Sequence, residues 1–303
     1  MSLKTVSAVI NGQTYALTLN TTTGKWEATI TAPSKSSYTI NDGHYYPVSV
    51  TATDVAGNKK TVSDSDSTLG ASLKLKVKEK VAPTITVTSP TAGSTLTNNK
   101  PTIKWKVTDA DSGVNPATIG ITIDSGTKIT SGITTTAVTG GYECSYTPTT
   151  ALSDGSHTIK LDVSDYDGNA ASTKSSTFKV DTVPPTLSIS SPADKLVTNN
   201  KTVTVSGTTN DVTSSPVTVT IKLNSGTAEA VTVDSSGKFS KSLTLTEGNN
   251  TITIVAKDGA GKTSTVTRTV TLDTVAPTFK SVTITPNPVD CGATFVISVE
   301  VSD

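Results

Sequence analysis

Apolar and polar residues alternate strictly along short stretches of this chain. Val48, Val50 and Ala52 share one parity, as do Ile159, Leu161 and Val163, and Ile252, Ile254 and Ala256, with Ser, Thr, Lys or Asp between most of them. A period of two places one side of an extended strand in a core and the other in water. Each stretch is followed by a compact turn signal: Asp54-Val55-Ala56-Gly57-Asn58, Asp165-Tyr166-Asp167-Gly168-Asn169 and Asp258-Gly259-Ala260-Gly261-Lys262. Asp caps its own backbone there and Gly supplies a positive φ, so each block predicts a hairpin between two long strands.

Two further blocks recur with these hairpins. Val81-Ala82-Pro83-Thr84, Asp181-Thr182-Val183-Pro184-Pro185-Thr186 and Asp273-Thr274-Val275-Ala276-Pro277-Thr278 open successive units, about 100 and then about 92 residues apart. Gly24-Lys25-Trp26, Gly141-Tyr142 and Gly237-Lys238-Phe239 place a ring at one repeated position, with Ile30, Tyr146 and Leu243 four residues on. Both members of each pair fall on one face and read as core; Trp105, on the Ile103-Trp105-Val107 face, adds a second anchor. The repeat length is that of an immunoglobulin-like sandwich.

Composition agrees with strands. The chain holds 61 Thr and 37 Ser among 303 residues, with one Met, four Phe and two Trp, so β-branched and small polar residues replace helix formers. Acidic and basic residues balance at 25 each, and Arg268 is the one arginine, which removes the electrostatic basis for a nucleic-acid partner. No apolar run reaches the roughly 18 residues of a membrane span. Met1-Ser2-Leu3 reads as an expression start on an excised fragment, with any address or anchor of a parent protein outside it.

The Asp-Thr-x-x-Pro-Thr junctions, the Gly-Lys-Phe/Trp strand and the Ala-x-Asp-x-Ala-Gly-Asn/Lys hairpin together resemble the tandem bacterial Ig-like (Big) domains of surface adhesins and phage virion proteins. The resemblance implies an all-β fold of tandem immunoglobulin-like β-sandwiches arranged as an elongated rod. On the repeat alignment, residues 1–80 form a domain lacking its first two strands, 81–181 and 182–273 are whole domains, and 274–303 are the first two strands of another. The strands of 274–303 could therefore complete the 1–80 domain of a second copy. Fraying or coverage of both ends is the plainer alternative.

In such a sandwich the loops between the second and third strands, and between the last two, share a pole with the incoming linker. Glu79, Asp181 and Asp273 hold one aligned linker position. Asp109, Asp111, Asp165 and Asp167 are expected to face Glu79, Asp211 and Asp258 to face Asp181, and Asp303 to face Asp273. Converging hard oxygens suit Ca²⁺ at the domain junctions, an expectation that the resemblance shares; ordinary Asp turn-capping is the competing reading. The aligned positions place the cation at the first junction ahead of the second, where Gly261-Lys262 replaces Gly-Asn.

Catalytic patterns are missing. Cys144 and Cys291 sit in different repeats with no Cys-x-x-Cys spacing and read as buried or semi-buried bystanders, although Cys144 occupies a strand position with no special claim to burial. His44 and His157 have no ligand-spaced partner, and no phosphate loop or nucleophile elbow is present. Tyr45-Tyr46 could stack on a saccharide or serve as an edge or interdomain contact. The sequence therefore points to a non-enzyme: spacer repeats of an extracellular bacterial surface protein holding a distal binding element. The alternatives are phage tail repeats, a glycan- or host-protein-binding module, or an accessory segment of a surface hydrolase.

Overall fold

A computed structural model describes residues 3–303, so the reading of Met1-Ser2 lies outside the described residues. The chain divides into two compact units, one ending at Val180 and one spanning Asp181–Asp303. The described residues are strands and loops, apart from a single 3-10 turn at Gly70–Leu73.

In the first unit, domain one contains β1 (Leu3–Ile10), β2 (Gln13–Asn20), β3 (Lys25–Glu27), β4 (Tyr46–Asp54), β5 (Lys59–Val62) and β6 (Lys74–Leu75). They form one sheet in the order β3-β2-β1-β4-β5, with β6 also pairing to β4. Domain two follows with β7 (Thr84–Ser89), β8 (Thr95–Leu96), β9 (Ile103–Thr108), β10 (Val114–Ile123), β11 (Thr134–Val138), β12 (Gly141–Tyr146), β13 (Gly155–Asp165) and β14 (Lys174–Val180). It is a true sandwich: a β10-β13-β14-β8 sheet faces a β11-β12-β9-β7 sheet. The alternation predicted from sequence fills the space between them. Ile103, Trp105 and Val107 from β9 meet Ile159, Leu161 and Val163 from β13, with Phe178 and Val180 closing the core. Each such side chain contributes about 1.5–3 kcal/mol by leaving water.

The second unit repeats the plan with β15 (Thr186–Ser191), β16 (Leu196–Thr198), β17 (Thr202–Asn210), β18 (Thr218–Leu223), β19 (Glu229–Val231), β20 (Lys238–Thr244), β21 (Gly248–Lys257) and β22 (Thr263–Leu272). Sheets β15-β17-β20 and β16-β22-β21-β18-β19 enclose Val205, Phe239, Ile252, Ile254 and Ala256. Short β8 and β16 each leave the strand before them and pair in parallel with the last strand of the opposite sheet. That crossover ties the two layers of each sandwich together. β23 (Thr278–Thr285) and β24 (Val296–Ser302) form a separate two-stranded sheet whose apolar residues, Phe279, Val282 and Val299 among them, are exposed.

Strand order gives domain one its character. β1 pairs with β4 as β10 pairs with β13 and β18 with β21, each antiparallel. The layer built from β7 and β9, or β15 and β17, has no counterpart among the described residues of domain one. Trp26 is consequently half-buried where Phe239, at the aligned position, is almost wholly enclosed. Tyr46 takes over as anchor, buried at the start of β4 with its hydroxyl donating to the Lys35 carbonyl.

Candidate functional site at the domain-entry carboxylates

The three predicted hairpin turns share one geometry. Asp54, Asp165 and Asp258 accept through their carbonyls from Gly57, Gly168 and Gly261, while their amides donate to the carbonyls of Asn58, Asn169 and Lys262. The glycines sit at φ 90°, 94° and 92°, left-handed values that require a residue without Cβ. The turn fixes each aspartate carboxylate by a bond from the closing amide. In domains two and three that carboxylate is turned into the interior, because Asp165 and Asp258 are buried.

In the first unit, single oxygens of Glu79, Asp109 and Asp165 lie within 4.8 Å of one another. Their environment is rich in donors. Glu79 accepts from the Ser112 hydroxyl at 3.0 Å and from the Val81 amide at 2.7 Å. Asp109 Oδ1 caps the amides of Asp111 and Gly113, and Asp165 accepts from both the amide and the side-chain nitrogen of Asn169. Burial, with the hydrogen bond to Asp165 and the Asp109 charge, raises the Glu79 carboxyl above its ordinary value, although the Val81 and Ser112 donors oppose the shift. Burial pushes Asp165 the same way, but the Asn169 donors and the Glu79 hydrogen bond outweigh it and lower its pKa.

Asp111 and Asp167 lie outside that group. Asp111 accepts the Ser36 amide at 3.1 Å, and Asp167 accepts the Glu79 amide at 3.0 Å while its carbonyl takes Lys78 Nζ at 3.1 Å. These bonds join domain one and its linker to the loops of domain two. A ring column does the same: Tyr38 lies between His44, with ring centres 3.9 Å apart, and Tyr166, at 4.1 Å, all nearly parallel. The sequence did not predict this column, since Tyr166 lies more than a hundred residues from Tyr38 and His44 and all three are in loops.

In the second unit the linker residue Asp181 meets Asp211 and Asp258, again with single oxygens within 4.8 Å. All three are buried, Asp181 completely. Asp273 accepts the Val275 amide, and Asp303 is exposed.

Elsewhere, polar groups serve packing. His157 Nδ1 lies 2.8 Å from Asp124 and Nε2 lies 2.7 Å from the Ser153 carbonyl, so both ring nitrogens are committed. Burial opposes a charge there, but the carbonyl and the carboxylate prevail and raise its pKa. Cys144 is a buried bystander as expected, 3% exposed inside the domain-two core although its aligned strand position had no special claim to burial, and burial pushes its thiol up to about 11; Cys291, expected to be at least half-buried, is instead exposed. Cys144 lies between Tyr142 and Tyr146 with the same parity, which carries it inward. Tyr45 donates its hydroxyl to Asp64 at 2.9 Å and Tyr46 is buried, so the pair is occupied within domain one.

Residues 83–161 match the family described as bacterial Ig domain, and residues 185–274 match that described as glucodextranase, domain B. The chain carries tandem bacterial Ig-like domains. No curated protein sequence matches it. Among solved structures, these Ig-like domains are similar to the fibronectin(III)-like modules of CbhA from Clostridium thermocellum. The identity is 16%, covering 62% of this chain and 94% of that one, with a TM-score of 0.38. They are also similar to immunoglobulin domains 1–5 of Sidekick-1, at 13% identity, covering 99% and 60%, with a TM-score of 0.41. No helix of the chain is long and apolar enough to cross a membrane, among the described residues.

Proposed function

We propose that these Ig-like domains are a non-catalytic spacer in an extracellular bacterial surface protein, holding a distal binding element at a set distance and angle. The observation that carries this reading is the joint between domains one and two. The Tyr38 ring column, the Ser36–Asp111 bond and the Glu79–Asp167 bond fix one domain on the next. A spacer needs such joints, whereas an enzyme would need an accessible reactive group. His157 and Cys144 are both enclosed and His44 is held in the ring column, while Cys291 is the exposed cysteine. The uncharged Ser/Thr outer faces of the strands suit an exposed, weakly interacting stalk.

A second reading has one specific support, the match of residues 185–274 to glucodextranase domain B. It makes the chain an accessory segment of a surface polysaccharide hydrolase. ¹⁵N relaxation with a polysaccharide array tests both. Spacer function predicts one correlation time for the amides of domains one and two and no retained glycan. Independent tumbling of the two domains overturns the spacer reading, and selective retention of a polysaccharide favours the accessory role.

A further inference from the structure

Strands β23 and β24 reproduce the hairpin on which domains two and three build one of their sheets. Thr278 faces Ser302 and Phe279 faces Val301, as Thr84 faces Thr108 and Ile85 faces Val107 in domain two. Domain three has the same ladder, Thr186 facing Asn210 and Leu187 facing Thr209. Further along the hairpin Val282 faces Val299 and Ile284 faces Ile297. Cross-strand partners share a face, so these six apolar side chains line one side, with Ser281, Thr283, Ser298 and Glu300 on the other. The apolar side is patterned as core yet uncovered, its six side chains being 44–73% exposed. Counted back from Asp303, which aligns with Asp109, Ile297, Val299 and Val301 hold the places of Ile103, Trp105 and Val107, which are at most 1% exposed.

Domain one lacks that same piece. Val48, Val50 and Ala52 of β4 align with Ile159, Leu161 and Val163 and with Ile252, Ile254 and Ala256. The β4 residues are half-buried, whereas the aligned residues of the two whole sandwiches are at most 3% exposed. Strand β3 ends its sheet, paired to β2 alone, while its counterparts β12 and β20 pair with the second strand of the hairpin, β9 or β17. Domain one therefore presents an open apolar face beside an unpaired edge.

We infer that the β23–β24 hairpin docks on domain one of a second copy of this chain, its apolar side against Val48, Val50 and Ala52 and β24 alongside β3. It supplies there the layer that β7–β9 and β15–β17 supply in domains two and three. The reproduced ladder is what selects this occupant. A patch for an unrelated apolar partner needs only exposed side chains, whereas this one repeats the register and the inward parity of the missing layer. No charged side chain stands on the apolar side of the hairpin, so docking buries no unpaired charge there. Exchange of an identical element between copies is a low-cost route to assembly, because the contacts are those the fold already uses.

The test is light scattering with sedimentation of the 303-residue chain across a concentration series, in reducing buffer because Cys291 is exposed. Particles of two or more copies are expected, with Kd at or below about 10 µM, the weak end for an interface of ordinary size. Val299→Lys charges the apolar side of a strand that is already exposed, so it should fold and associate at least about tenfold more weakly. Ser298→Lys, on the polar side, should associate like the parent. To locate the contact, unlabelled copies carrying a nitroxide on Cys291 are mixed, without reductant, with ¹⁵N-labelled copies; Cys144 is enclosed and stays unmodified. Amides of β3 and β4 in the labelled copies should broaden. A monomer at about 1 mM, a hundredfold above the expected Kd, overturns the proposal. So does association that survives Val299→Lys or is lost in Ser298→Lys, and so does broadening that spares β3 and β4. None of these outcomes bears on the joint between domains one and two, which relaxation tests by itself.

Discussion

Removing the ring of Tyr38 should loosen domain one from domain two while leaving the sandwich of domain two intact. Tyr38 is half-buried and makes two parallel stacks, on His44 at 3.9 Å and on Tyr166 at 4.1 Å. Aromatic pairs of this kind contribute about 0.5–1.5 kcal/mol each beyond the area they bury. Tyr166 is still 37% exposed, which keeps its stack at the lower end of that range. Tyr38→Ala should therefore cost about 1–2 kcal/mol, and a double-mutant cycle with Tyr166→Ala should show about 0.5–1 kcal/mol of coupling. Native-state hydrogen exchange separates the two domains. Amides of β1 and β4 report domain one, and those of β9 and β13 report domain two. The opening free energy of the first pair should fall by the stated amount while the second stays fixed. Coupling below about 0.3 kcal/mol, or an equal loss at β9 and β13, refutes the ring column as a joint.

Four other outcomes follow from the same packing. Trp105→Ala empties the centre of the domain-two core, where Trp105 is 1% exposed, and should lower its unfolding free energy by about 3–5 kcal/mol in urea titrations. Because His157 has a raised pKa, its stabilisation is complete below the unfolded value near 6.5 and lost as pH rises through the folded one. The urea midpoint of the parent should thus fall from about pH 6 to about pH 9 relative to His157→Gln, and parallel curves would contradict this. Gly237→Ala places a Cβ against the Thr209 carbonyl at φ 79°, and should cost about 1–3 kcal/mol in the thermal unfolding of domain three. In solution too dilute for copies to associate, amides of the β23–β24 hairpin should exchange far faster than those of β21–β22, since no second layer of the described chain covers the hairpin's apolar side chains; protection equal to β21–β22 at that dilution would show a covering layer.

The sequence by itself determined the strands, their faces and the turns between them. Those features depend on neighbours two to four residues away. Alternation buries Ile159, Leu161 and Val163 whatever lies opposite them, and Asp-x-x-Gly closes a hairpin by its own hydrogen bonds. Repeat alignment also carried Asp181, Asp211 and Asp258 to one pole, because homologous loops of one fold converge. What remained undecided was each group's surroundings. Trp26 and Phe239 occupy the same aligned position, yet only the one with a facing sheet becomes core. Cys144 sinks into the interior because Trp105 and Tyr146 pack around that face of β12. Asp111 and Asp167 turn away to hold domain one. Hydrogen-bond partners and desolvation come from residues tens to a hundred positions away, so only the tertiary structure decided which carboxylates meet one another and which turn aside.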